Sequence, residues 1–120
     1  MARILLAEDD ISMRVFLTRA LERVGHRVVS AADGEAALRE IASGGAFDLL
    51  ITDIVMPGLD GIELARLATL AAPALRVMFI TGFAAVTLPN KEAESPTAKV
   101  FSKPFHLRDL VEHVHHILAA

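Results

Sequence analysis

The chain contains no cysteine. Disulfides and thiolate metal sites are excluded, and the composition fits a reducing compartment. It has no basic excess either: 12 Lys and Arg stand against 15 Asp and Glu, a net charge of −3 with a pI near 5.9. No basic face recommends nucleic acid as a partner. Long apolar runs are missing as well. A membrane-crossing helix needs about 20 apolar residues in a row, and the first apolar run, Ile4–Ala7, meets three acids at once. That speaks against a signal peptide and a membrane partner. Repeats, linkers and low-complexity tracts are absent. What remains is 120 residues, 53% of them hydrophobic. This is enough for the core of one domain, expected to span 1–120 without an output domain and to work in the cytoplasm, as a monomer.

The apolar residues fall in two alternating patterns. Ile4–Ala7, Arg27–Ala31, Leu49–Thr52, Val77–Thr81 and Val100–Phe101 are strand candidates. Three of them are rich in Ile, Leu or Val without polar alternation, as strands buried on both faces are. Between them, Ser12–Val24 carries a helical stripe of Phe16, Leu17, Ala20, Leu21 and Val24, with Ser12 as expected N-cap and Gly25 as stop. Asp33 is the expected cap of a second helix running through Ile41 and ended by Gly44-Gly45. A third runs from about Gly61 to Leu70, before Pro73. Ala84–Ala98, with two prolines, predicts a short or irregular fourth helix. The last helix shows one buried face: Leu107, Leu110, Val111, Val114, Ile117 and Leu118.

Alternating β and α elements predict a parallel sheet with helices on both faces. Right-handed crossovers bring every strand's C-terminal end to one edge, where open α/β sheets bind ligands. Glu8, Asp9 and Asp10 follow strand one, Asp53 follows strand three, Thr81 ends strand four, and Lys103 follows strand five. Two carboxylates roughly 4 Å apart repel by about 4 kcal/mol at an effective dielectric near 20. A hard cation, Mg²⁺ above all, would neutralise Glu8, Asp9 and Asp53 together. Lys103 and Thr81 then offer a charge and a hydroxyl to an oxygen-rich anion. A phosphoryl group on Asp53 fits, since carboxylate nucleophiles form acyl phosphates.

These residues resemble the receiver (CheY-like) domain of two-component response regulators. The resemblance is carried by Glu8-Asp9, by Asp53 within Thr52-Asp53-Ile54-Val55-Met56-Pro57-Gly58-Leu59-Asp60-Gly61, by Thr81-Gly82, and by Lys103-Pro104-Phe105. It implies a flavodoxin-like (βα)5 fold: a doubly wound, five-stranded parallel sheet of strand order 2-1-3-4-5. It further implies Asp53 as phosphoacceptor, Asp9 as direct Mg²⁺ ligand, Glu8 as outer ligand, and the Val55 carbonyl as another. Thr81 would take a phosphoryl oxygen, Lys103 would pair with it, and Lys103-Pro104 is often cis in the family. Asp10 matches the family's frequent third acid and is a further candidate ligand. A histidine kinase or histidine phosphotransferase is the implied donor, and turnover is limited to self-phosphorylation and self-dephosphorylation. Apolar Val55 and Phe83 flank the cleft and imply a slow loss of the phosphoryl group.

Within the family, the opening Met1–Asp10 and the segment Lys103–Leu110 are similar to the CpdR-type receivers of alphaproteobacteria. That likeness implies control of substrate delivery to the ClpXP protease, with a ClpX-type unfoldase as downstream partner. The family's switch aromatic is replaced by Val100, with Phe101 beside it on the opposite strand face. Ordering of Ala84–Ala98 is therefore the expected switch. An aspartyl phosphatase is disfavoured because Val55 stands where such enzymes carry a second Asp. A nucleotide-binding reading lacks a Gly-rich loop after strand one. His113, His115 and His116 read as exposed helix residues, and Leu118-Ala119-Ala120 as a frayed end or a degradation signal.

Overall fold

Every apolar run forms a strand and every helical stripe outside 82–97 forms a helix. The computed structural model describes residues 2–81, 98–102 and 105–119. The strands are β1 (Arg3–Ala7), β2 (Arg27–Ala31), β3 (Leu49–Asp53), β4 (Arg76–Thr81) and β5 (Ala98–Ser102). The described helices are α1 (Ile11–Arg23), α2 (Gly34–Ala42), α3 (Gly61–Ala71) and α4 (Leu107–Ala119). All strand pairs are parallel and the order is β2-β1-β3-β4-β5. This is the five-stranded order that the resemblance implies. The expected helix within Ala84–Ala98 falls outside the described residues, except that Ala98 opens β5.

Two cores follow from the period of two along each strand. Leu5, Leu50, Val77 and Phe79 face α2 and α3, where Ala37, Ile41, Leu64 and Ala68 meet them. Ile4, Leu6, Leu49, Ile51, Met78 and Ile80 face Leu17 and Leu21 of α1 and Leu110, Val114 and Ile117 of α4. β3 is buried at all five positions. Continuous Leu-Leu-Ile suits a central strand with helices on both sides.

Two expectations about α1 are corrected. Its N-cap is Asp10, not Ser12: Asp10 is extended, and its Oδ2 accepts the Met13 N–H at 2.9 Å. A carboxylate one residue before the first turn satisfies a free N–H and faces the positive helix end, which a hydroxyl inside the helix cannot do. The buried stripe is also narrower than expected. Leu17, Ala20 and Leu21 are buried, but Phe16 is 50% and Val24 37% exposed. The other ends agree: Gly25 (φ 99°) follows the C-cap of α1, Asp33 caps α2 through Ala36 N–H, and Gly44 (φ 91°) follows its end.

Candidate functional site

β1 and β3 are neighbours with Ala7 in register with Thr52, so the residues that follow each of them emerge side by side. Asp53, the last residue of β3, is only 6% exposed, and Glu8, directly after β1, is fully buried. Asp9 is exposed. One carboxylate oxygen from each of Glu8, Asp9 and Asp53 lies within 4.8 Å of the others. Three ionised carboxylates at that spacing repel by about 3 kcal/mol per pair at an effective dielectric near 20. Among the described residues this is the one group of three or more acidic, His or Cys side chains close enough to hold a metal ion. Its donors are all oxygen, which suits Mg²⁺ or another hard cation rather than zinc or copper.

The turn after β3 is held tightly. Ile54 N–H donates to Ile80 O at 2.9 Å, fastening it to β4, and Gly61 N–H donates back to Ile54 O at 2.9 Å. Gly58 adopts φ 75°, in the left-handed region that favours glycine. Leu59 N–H donates to Glu35 Oε1 at 3.1 Å, and Asp60 Oδ1 caps α3 by accepting Glu63 N–H at 2.8 Å. Ile54 and Met56 are buried in the α2–α3 core, which anchors the loop from below. Val55 is 50% exposed above it.

The other expected site residues divide into two groups. Asp10 sits beside the cluster rather than within it: its N–H donates to Glu8 Oε2 at 3.1 Å while its carboxylate caps α1. Thr81 ends β4, in register with Ser102. The strand ends at Ala7, Asp53, Thr81 and Ser102 therefore share one edge, and Lys103 follows Ser102 in sequence. Lys103, Pro104 and Phe83 lie outside the described residues, as do 84–97 and Ala120. Val100 is in register with Phe79.

Two contributors were missed in the sequence. Arg14 Nη1 donates to the Glu8 carbonyl at 2.8 Å, bracing the turn that carries the acids. Its position one turn into α1, six residues on, was the available signal. Glu35 braces the other loop from 24 residues away, and nothing local announces that contact.

The response regulator receiver domain family matches residues 4–115. The response regulator receiver protein CpdR of Brucella abortus is 55% identical over 121 residues, covering 100% of this chain and 99% of that protein. The crystal structure of the receiver domain from the hybrid histidine kinase CckA superposes with a TM-score of 0.81 at 35% identity, over 97% of this chain and 98% of that one. The response regulator TrrA of Thermotoga maritima, crystallised in complex with Mg²⁺–BeF, gives 0.82 at 29% identity, over 98% and 99%.

Proposed function

The chain belongs to the response regulator receiver domain family, and on that premise we propose that it is a phosphorelay receiver whose Asp53 carries the phosphoryl group. The observation that supports this reading most is the convergence of Glu8, Asp9 and Asp53 within 4.8 Å at the end of the central strand. Asp9, Asp53 and the Val55 carbonyl, with Glu8 behind them, would hold Mg²⁺, which would supply positive charge to the transferring oxygens. An Asp53 oxygen attacks the phosphorus of a phosphohistidine; the new O–P bond forms as the N–P bond breaks, and the freed imidazole takes up a proton. Burial of Asp53 and the pinned turn after it fix the direction of attack. Thr81, which ends β4, and Lys103, which follows β5 in sequence, are assigned to the phosphoryl oxygens by likeness to the family.

The donor is a histidine kinase or histidine phosphotransferase. Ile11, Val15 and Phe16 are 67%, 41% and 50% exposed on α1, directly after the acids. With Leu107 they line a groove of about 530 Å³ that also holds Arg19 and Arg23. Exposed apolar side chains flanked by arginines on the helix that follows the acids suit contact with a protein donor rather than a small phosphate ester. Val55 occupies the place of a phosphatase's second acid, so the phosphoryl group persists and acts as a signal rather than being turned over. The downstream partner, in line with likeness to CpdR, is a ClpX-type unfoldase, and the setting is the cytoplasm.

Incubating the purified chain with Mg²⁺ and a phosphorylated histidine phosphotransferase should add one phosphoryl group by intact mass. Asp53→Ala, or excess chelator, should abolish the addition. Equal labelling of Asp53→Ala would remove Asp53 from the role. A pull-down with wild type and Asp53→Ala then names the partner and the state it prefers.

A further inference from the structure

His26 and His115 are 89 residues apart in sequence, yet their Nε2 atoms stand 3.0 Å apart. His26 directly precedes β2, so the pair lies at the edge of the sheet opposite the acids. His26 is 6% exposed and its backbone is fixed: His26 N–H donates to Leu21 O at 3.2 Å, and Arg27 N–H to Ala2 O at 2.9 Å. His115 projects from an exposed position of α4. The ring centroids are 5.0 Å apart with planes tilted by 59°, so the rings meet nitrogen to nitrogen rather than face to face. His113 and His116, by contrast, stack at 6.0 Å with planes 27° apart.

Two neutral imidazoles this close share one proton, which a metal ion can replace. Two Zn–N bonds of about 2.0–2.1 Å at a tetrahedral angle hold their nitrogens roughly 3.3 Å apart. Only a few tenths of an ångström of opening is needed, and exposed His115 can supply it by a small side-chain rotation. We infer that His26 and His115 form a two-imidazole site for a late divalent metal ion, Zn²⁺, Ni²⁺ or Cu²⁺, which ties the α1–β2 turn to α4. Imidazole ligands select such ions over Mg²⁺, which separates this site from the all-oxygen cluster. Water completes the coordination on the exposed side of His115. Among the described residues, His26 Nδ1 is buried with no hydrogen-bond partner. Ligation through Nε2 puts the ring's proton on that nitrogen, which no described residue accepts, so binding is weaker than at structural zinc sites.

The test is calorimetric titration of ZnCl₂ into the whole chain with Mg²⁺ in excess, together with imidazole ¹⁵N spectra. The expected result is one Zn²⁺ per chain, with shifts at Nε2 of both His26 and His115. His115→Ala should weaken binding by at least about 10–100-fold, the range already caused by losing a mere orienting partner. Its exposed helical position tolerates alanine, so the fold is kept. His115→Gln should behave alike, while His113→Ala, His116→Ala and Asp53→Asn should bind as wild type. Undiminished Zn²⁺ binding by His115→Ala, its loss in the His113 or His116 variants, or no binding by wild type would each overturn the inference.

Discussion

A Cβ placed on Gly61 would stand 1.9 Å from the carbonyl oxygen of Asp53. The first residue of α3 therefore touches the backbone of the proposed phosphoacceptor, and only glycine permits the approach. Gly61 N–H also donates to Ile54 O, so the same residue closes the turn. Alanine here forces the start of α3 or the end of β3, which carries Asp53, to shift. Gly61→Ala should lower unfolding free energy by about 2 kcal/mol or more, in the upper part of the usual range for single substitutions. It should also slow phosphoryl uptake. Urea unfolding and a phosphorylation time course read the two effects, and an alanine variant with wild-type stability would contradict the close contact.

Removing Mg²⁺ should destabilise the chain, because an ion bound only by the folded state adds stability by mass action, about 2.7 kcal/mol at one hundred times its dissociation constant. Asp53→Asn removes one of three clustered charges. Without Mg²⁺ it should be more stable than wild type by on the order of 1–3 kcal/mol, the repulsion relieved. Thermal melts of both proteins with and without Mg²⁺ settle the point. A wild type that gains no more than the variant on adding Mg²⁺ would count against the cluster as its site.

Much of this was legible in the sequence for definite reasons. Uninterrupted Leu49-Leu50-Ile51 reads as a two-faced buried strand because apolar residues at consecutive positions must face both layers. Leu110, Val114 and Ile117 repeat at helical spacing, and all three are buried. Glu8, Asp9 and Asp53 could be placed together because parallel topology puts strand ends on one edge. The misreadings were of contacts that cross the sequence or compete locally. Ser12 and Asp10 are both good caps, and the acid wins by standing before the first turn. Phe16 matched the helical stripe but faces outward, since Leu17 and Leu21 already fill the space over β1. Neither Glu35 to Leu59 nor His26 to His115 follows from any local pattern.

Asp10 offers a test that separates cap from ligand. Its carboxylate accepts Met13 N–H at 2.9 Å, while the bond to Glu8 Oε2 comes from its backbone. Asp10→Ala should thus lower stability by about 0.5–2 kcal/mol through loss of the cap. The Asp10 N–H to Glu8 survives that substitution, so the Mg²⁺ affinity, read by titration, should stay near wild type. A large fall in affinity would instead give Asp10 a direct place at the ion. Asp10→Ser, which keeps a capping oxygen without the charge, should restore most of the stability.

The His26–His115 contact predicts how stability responds to pH in the chelator-treated chain. Burial, the charge of His115 and the chain's N-terminal amine all hold the His26 pKa below its ordinary 6.5. The folded state therefore binds a proton at His26 less readily than the unfolded chain. Above about pH 6.5 both states leave it neutral and the full stability is present. As pH falls below that value the unfolded chain takes up the proton first, and stability drops until the lower folded-state pKa is passed. A series of urea midpoints from about pH 7.5 to about pH 5.5 should show this decline. His115→Ala removes the neighbouring charge and opens His26 to water, so its pKa moves back toward the ordinary value and the decline becomes shallower. A variant that loses stability as steeply as wild type would place the pH response elsewhere in the chain.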